Sequence, residues 1–484
     1  MTPARAYDVI VVGGGAAGCV VAARLAERGS RSVLLVEAGP DQRARPPEGF
    51  RDGWHITRDC DWGFSSAADE RGSVARLWRT KMVGGTSWLT RFAVRGSPAD
   101  FDGDMLPWFT KLEADADFGH EPWHGAHGPM PIDRYRHHDF TDVAAAALEA
   151  CHAVGFPDVE DHNKPGAVGA GRMPMSTRDG MRVTTADAYL PVVSTPQNLE
   201  ILADTHVATV VLDGTRARGV RTTDGRVIEA GWVALSAGAY CSPLVLMRSG
   251  IGPSRHLATH DIPVSVELPG VGQNLADHPA VSMECEYLGS SAREAPILHA
   301  IATFHSAETP SAGPPDLMLW LSDPEEDPEG PALFAIDAVL LKPESRGAVR
   351  LRSADPTAPP EVELPGLRTS RDVDRMAEAC LRAHAVLSEA GVRRLCGELP
   401  PLDTSTMRDW VRTQRYSIPH VVGTCAIGVT PEDGAVVDGN GRVHGTEALS
   451  VIDASIIPDA PSGFPHVVTI MFAEQLAAHL DAHV

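Results

Sequence analysis

With 484 residues, the chain exceeds one ordinary core, so two or three domains are expected. Hydrophobic residues at 43%, charged residues at 22% and a net charge of −22 describe an acidic globular protein with no basic run, which argues against nucleic acid or an anionic membrane as partner. The eight cysteines lack the paired spacing of zinc or disulfide frameworks, no apolar run approaches the ~18 residues of a membrane span, and the few residues before the first strand leave no room for a signal peptide, so free thiols and a cytoplasmic location are expected.

The stretch from Tyr7 to Gly39 reads as strand, glycine turn, helix, strand and acid. Gly13 permits a tight turn out of the first strand, Gly15 lets backbone approach a pyrophosphate, and Gly18 lets the helix lie close to the strand. Phosphates would then meet the unpaired N–H groups and positive dipole end of that helix. Glu37, about twenty residues on at the end of the second strand, is placed to accept from a ribose hydroxyl. This context makes the glycine pattern a dinucleotide site, but FAD and NAD both use it, and the acid argues only against a 2′-phosphate.

A polar, irregular segment from Asp41 to Arg79 leads to a second glycine turn, Gly84-Gly85, which could be a close backbone approach to a ligand or a plain loop. Residues 97 to 140 are loop-rich and carry His120, His124, His127, His137 and His138. Without carboxylate or cysteine spacing these read as histidines of a solvated loop, and no metal site is expected. Helices are expected over Ala144–Val154 and Thr184–Leu190, and strands over Leu199–Leu202, His206–Leu212, Ala217–Arg221, Arg226–Glu229 and Trp232–Leu235. A short helix from Ser242 to Ser249, with Pro243 in its first turn, follows the Ser236-Ala-Gly238-Ala239 turn. From Val281 to Leu351 longer strands separated by polar loops suggest an antiparallel sheet. Ser370–Ala390 is an amphipathic helix with Val373, Met376, Ala377, Cys380, Leu381 and Ala385 on one side. A last strand at Leu449–Ile452 and a last helix from about Val468 to His479 complete an α/β piece.

Several segments together resemble the glucose–methanol–choline (GMC) oxidoreductase family of FAD-dependent enzymes. Lys81 to Thr90 with Ser97 to Asp102 is similar to the family's first signature, and Ser236 to Pro253 to its second. Leu268 to His278, Lys342 to Ser353, His420 to Cys425 and Leu449 to Thr469 follow in the family's order. The resemblance implies an α/β fold in which a Rossmann-like FAD-binding domain (1–100, 160–280 and 420–484) is joined by a loop-rich connecting or lid segment (101–159) to a mainly antiparallel-sheet substrate domain (281–419).

It also implies roles. Gly13, Gly15, Ala16, Ala17, Gly18, Glu37 and Ala38 would hold the ADP half, and the backbone of Val207 would face the adenine. Gly84, Gly85, Thr86, Leu89 and Thr90 would follow the isoalloxazine and ribityl chain. Ala237, Gly238, Asp453 and Ala454 would lie by the pyrophosphate and ribityl, and Val467 and Val468, with Pro465 just before the helix, by the flavin pyrimidine. There a helix N-terminus would stabilise negative charge developing near N1 and O2. No histidine or cysteine stands at 89 or 90, where some members tether FAD, so noncovalent FAD is expected. Thr90, Trp88 and a compressed segment after Asp102 depart from the common pattern, and Trp88 is expected to reshape the pocket or a dimer surface.

Oxidising an alcohol needs a base for the hydroxyl proton and an acceptor, flavin N5, for the hydride. Neutral imidazole suits the base. Of twenty histidines, His420 aligns with the family's catalytic histidine, and His466 with a position that carries histidine or asparagine and orients the substrate oxygen. The expected activity is oxidation of a small alcohol, with electrons passing to oxygen or another acceptor and a dehydrogenase slightly favoured for want of any sign of an oxygen pocket. The alternatives are a flavoenzyme with non-redox chemistry, as in the family's lyase and photodecarboxylase branches, and a flavin electron carrier or sensor without turnover, against which the two histidines in their motifs argue.

Overall fold

The computed structural model describes residues 6–27, 29–51, 60–190, 198–292, 298–327, 329–399 and 403–482. Of the irregular stretch 41–79, residues 52–59 lie outside the described residues.

The first layer is a seven-stranded sheet. Val9–Val12 and Val33–Val36 are continuous apolar runs and are buried, as strands covered on both faces must be. They pair in parallel with each other and with their outer neighbours, Tyr7–Val12 with Val227–Leu235 and Val33–Val36 with Leu199–Leu202. Leu449–Val451 adds the fifth parallel strand, brought in from the far end of the chain. Helix Ala16–Ala26 is apolar nearly all round because it lies between this sheet and the last helix, Pro465–Asp481. Arg24 fastens the two helices, donating to the buried carboxylate of Glu474 at 2.7–3.0 Å.

Where two short strands are expected near 226–235, one nine-residue strand runs from Val227 to Leu235. Its first residues pair antiparallel with Arg216–Thr222, and the remainder joins the parallel sheet. Gly231 keeps it continuous, since a side chain there would crowd the Asp8 carbonyl at 3.1 Å. The following helix starts earlier than its sequence suggests, at Gly238, which puts Pro243 in the second turn. Proline has no N–H to give the carbonyl four residues back. That carbonyl, on Ala239, instead accepts the buried hydroxyl of Thr424 at 2.6 Å, which ties the segment after His420 to this helix.

The second layer is a six-stranded antiparallel sheet with Pro279–Glu286, Leu333–Leu340, Leu317–Ser322 and Leu298–Phe304 at its centre. Its edges come from elsewhere in the chain. Gly169–Arg172, within the stretch allotted to the FAD-binding unit, pairs with Leu298–Phe304, and Tyr416–Ser417 pairs with the start of Pro279–Glu286. Helix Ser370–Ser388 covers the sheet with Val373, Met376, Cys380, Ala383 and Leu387. Leu381, expected on that face, is 41% exposed, because the buried stripe lies on the other side of the helix.

Candidate active site

Three glycines of the first turn do three jobs. Gly13 adopts φ +99°, and a Cβ there would stand 2.5 Å from the Ser236 carbonyl. A Cβ on Gly18 would meet the Gly13 carbonyl at 1.8 Å, so only glycine lets helix and strand approach this closely. Gly15 has nothing nearer than 4.0 Å and leaves its backbone open. The second glycine turn leans on the first. Gly84 N–H donates to the Gly14 carbonyl at 2.7 Å, and a Cβ on Gly85 would come within 2.6 Å of the Gly15 Cα. Trp88 is fully buried beneath, its indole N–H donating to the Val83 carbonyl at 2.9 Å. It supports the turn from inside and lines neither of the cavities described below.

One cleft gathers most of the sequence-derived site. Gly13, Gly15, Ala16, Ala17, Glu37 and Ala38 line it, with Val207, Ala237, Gly238, Asp453 and Ala454 from later segments. Gly85, Thr86, Thr90, His420 and His466 share its walls. Gly18, Gly84, Val467 and Val468 are not on its lining, and Leu89 faces a second cavity. Glu37 is buried and bonded: its two oxygens accept the N–H groups of Gly14 and Gly39, each at 2.8 Å. Burial nevertheless raises its pKa. Asp453 likewise spends its carboxylate on protein groups, accepting from Gly238 N–H at 2.8 Å and from the Ser242 hydroxyl.

Three helix N-termini open on this cleft, at Ala16, Gly238 and Pro465, and none has a side-chain cap. The last helix begins at Pro465, earlier than its sequence suggests, which puts His466 and Val467 in its first turn. Asp453 already takes the Gly238 N–H, so the unpaired N–H groups are those at Ala16 and Pro465, and these with the converging positive dipole ends suit a long anionic ligand.

Asp277 and His278 build the surroundings of His420. The backbone N–H groups of His420 and His278 both donate to Asp277 Oδ1, at 2.7 and 2.9 Å, while the Ser417 hydroxyl holds the other oxygen. This places His278 Nδ1 2.9 Å from His420 Nδ1. Phe464 meets the His420 ring edge-on, with centroids 5.1 Å apart. Burial, then the His278 and Arg79 charges, lower the His420 pKa well below the ordinary imidazole value. Burial lowers His278 and His466 to about 4 and raises Asp277 to about 6. All three imidazoles are therefore neutral at pH 7. His466 Nε2 is buried and has no hydrogen-bond partner among the described residues.

A second cavity, of about 550 Å³, adjoins the cleft and shares Arg79, Thr86, Thr90, Pro419 and His420 with it. His420 thus stands on the wall between the two. Arg79, His278 and Asp277 escape sequence reasoning as site residues. The histidine ends a matched motif, but its contact with His420 crosses 142 positions, and no local spacing marks Arg79.

The loop of histidines needs one correction. His124 is buried, not solvated. Its Nδ1 lies 2.7 Å from Glu113 and its Nε2 2.9 Å from Asp161. Arg134 chelates Asp115 and reaches Asp161 at 3.1 Å, and Arg95 joins Glu113. Burial works against charging His124, but the Asp161 and Glu113 carboxylates prevail and raise its pKa. Glu113, Asp115 and His124 are close enough for a cation, yet two guanidinium groups already supply the positive charge.

GMC oxidoreductase family models match residues 7–280 and 343–473. The chain belongs to the GMC oxidoreductase family. Over nearly its whole length it is 32% identical to the 5-(hydroxymethyl)furfural oxidase of Methylovorus sp. (strain MP688), covering 97% of this chain and 98% of that protein. It is 31% identical to the choline oxidase of Arthrobacter globiformis, covering 98% and 94% respectively. The crystal structure of pyridoxine 4-oxidase from Mesorbium loti superimposes with a TM-score of 0.89 at 27% identity, covering 99% of both chains. This GMC oxidoreductase is an FAD-dependent alcohol oxidoreductase, and the open glycine turn at Gly15 with the uncapped helix ends at Ala16 and Pro465 fits its cofactor. Among the described residues, no helix is long and apolar enough to cross a membrane.

Proposed function

We propose that the chain oxidises a primary alcohol, with His420 as the general base, His466 orienting the alcohol oxygen, and oxygen as the electron acceptor. The observation that carries this reading is the position of His420 on the wall shared by the dinucleotide cleft and the second cavity. A base there reaches an alcohol held in the cavity while the alcohol's carbon faces the cleft. FAD, when bound, supplies the hydride acceptor.

The contact between the two Nδ1 atoms needs one to donate and the other to accept. With His420 Nδ1–H as the donor, His278 Nδ1 accepts. His420 Nε2 then keeps its lone pair for the hydroxyl proton. The lowered pKa keeps that lone pair free at neutral pH. His466 sits in the first turn of an uncapped helix, where an oxygen bearing developing negative charge is stabilised.

Both the furfural and the choline of the relatives' names carry a primary alcohol, and those relatives are named oxidases. That supports oxygen over the dehydrogenase reading. FAD is held without a covalent bond, by Gly13, Gly15, Ala16, Ala17, Glu37 and Ala38 at the ADP half and by Gly85, Thr86, Thr90, Ala237, Gly238, Asp453 and Ala454 along the remainder. Denaturation in acid is expected to release all the flavin.

The test is anaerobic mixing of the holoenzyme with a panel of primary alcohols. Bleaching of the oxidised flavin band is expected, followed by reoxidation on admitting air. His420→Ala is expected to keep FAD and slow bleaching at least ~100-fold; an unchanged rate would remove the assignment.

A further inference from the structure

Resting on the reading of His420 as the reaction centre, we propose that the second cavity selects a flat, uncharged aromatic ring bearing the alcohol and rejects quaternary ammonium alcohols. Trp78, Phe92, Trp320 and Tyr416 supply four aromatic side chains to its wall, with Leu89 and Ile418 between them. The rings form a connected series of tilted contacts towards His420. Phe92 and Trp320 have centroids 6.1 Å apart, and Trp320 lies 6.2 Å from the His420 ring. Phe464 backs both, 5.7 Å from Trp320 and 5.1 Å from His420. Trp78 and Tyr416 are 37% and 40% exposed and mark the open side.

An aromatic cavity alone is ambiguous, since rings also attract organic cations through their π faces. The charges decide. Among the described residues lining the cavity there is no carboxylate, and the charged side chain that lines it is a guanidinium, Arg79. Arg79 is held by carbonyls, donating to Trp78 at 2.7 Å and Pro419 at 3.0 Å, and it lies over the Tyr240 ring at 4.7 Å. Among the described residues, no carboxylate is hydrogen-bonded to its side chain; Asp277, which feels its charge through space, lies behind the lining and is occupied by the Ser417 hydroxyl and the His420 and His278 N–H groups.

The acid nearest along the sheet is Asp337, opposite Trp320 in the strand register. It is not part of the cavity lining, and its carboxyl is engaged by Ser282 and Tyr416. A cation entering would lose its water, meet Arg79 and find no carboxylate on the lining to pair with, which offsets what the rings offer. A neutral ring gains the stacking and apolar burial without that cost. The cavity's volume lies in the range of small-ligand sites.

The test separates binding from turnover by using ligands that cannot be oxidised as alcohols. Holoenzyme is titrated with benzamide and with tetramethylammonium, following the visible flavin spectrum. Benzamide is expected to bind at least tenfold more tightly, and Trp320→Ala to weaken it at least tenfold while changing tetramethylammonium less than twofold. Arg79→Gln is expected to tighten tetramethylammonium. Tetramethylammonium binding as tightly as benzamide, or no benzamide binding at millimolar concentration, overturns the proposal. Benzyl alcohol and choline are then compared as flavin reductants. Selective benzamide binding with no bleaching by any alcohol would sink the oxidation reading and leave the cavity assignment standing.

Discussion

The two ends of the dinucleotide cleft are built on opposite rules. At the glycine-turn end, polar groups are bonded to the protein itself: Glu37 holds Gly14 and Gly39, and Gly84 holds Gly14. At the histidine end, buried nitrogens of His278 and His466 have no well-formed partner among the described residues, and burial has pushed three imidazoles towards neutrality. The first arrangement makes a rigid seat. The second leaves buried polar atoms unpaired, at the expense of stability. On the proposed reading, binding and proton transfer are divided between satisfied backbone and unsatisfied side chains.

The sharpest break in that comparison comes from the seat. Gly18→Ala puts a Cβ into the Gly13 carbonyl, with nothing flexible to yield, and is expected to cost ~4 kcal/mol and most of the bound flavin. Gly15→Ala meets nothing nearer than 4.0 Å and is expected to keep the fold and weaken FAD alone. Melting temperature and the flavin-to-protein absorbance ratio distinguish them. Equal melting losses in both variants would contradict the division of labour among the glycines.

Acid should expose the histidine end. His278 and His466 have folded pKa values of about 4, below the ordinary ~6.5. The unfolded chain therefore binds protons that the native one refuses, and stability falls as pH drops from about 6.5 towards 4. Each histidine contributes up to ~3 kcal/mol at ~1.4 kcal/mol per pH unit. Asp277, raised to about 6, works the opposite way, since its native form takes up a proton before the unfolded form does. Burial also lowers His420, His162 and His206 and raises Glu37, Asp453 and Asp337. The histidines outnumber the carboxyls, so the urea midpoint is expected to fall between pH 6.5 and 5, and less so in His466→Asn. A flat profile in both proteins would mean that these imidazoles are not buried and neutral.

The smallest effect concerns His278, a positioning residue for His420. His278→Asn is expected to lower the limiting rate of flavin reduction about tenfold and to move the acid limb of kcat/KM upward, because water entering beside His420 restores part of its basicity. A merely structural role would lower the amount of active protein and leave the pH profile in place.

The local patterns carried far. The strand, glycine turn, helix and acid from Tyr7 to Gly39 are legible because each follows from residues adjacent in sequence, and the amphipathic helix at 370–388 announces itself by its period, although Leu381 lies on its exposed side. Element boundaries were less legible. Pro243 belongs inside a helix only because Thr424 takes the carbonyl that proline leaves free, and no window around residue 243 contains that hydroxyl. His124 lies among glycines and prolines in sequence, and only folding brings Glu113, Asp115, Asp161, Arg95 and Arg134 around it.

By itself, the sequence determined the glycine-turn unit and the family and singled out His420 and His466 as candidates, because turn chemistry, periodicity and motif order are properties of contiguous residues. The tertiary structure alone decided which of those residues share a cleft, that His278 stands against His420, and that aromatic rings with Arg79 form the adjoining wall. Desolvation and the meeting of charges depend on groups hundreds of positions apart, and these are what set the protonation of His420 and the chemistry its cavity admits.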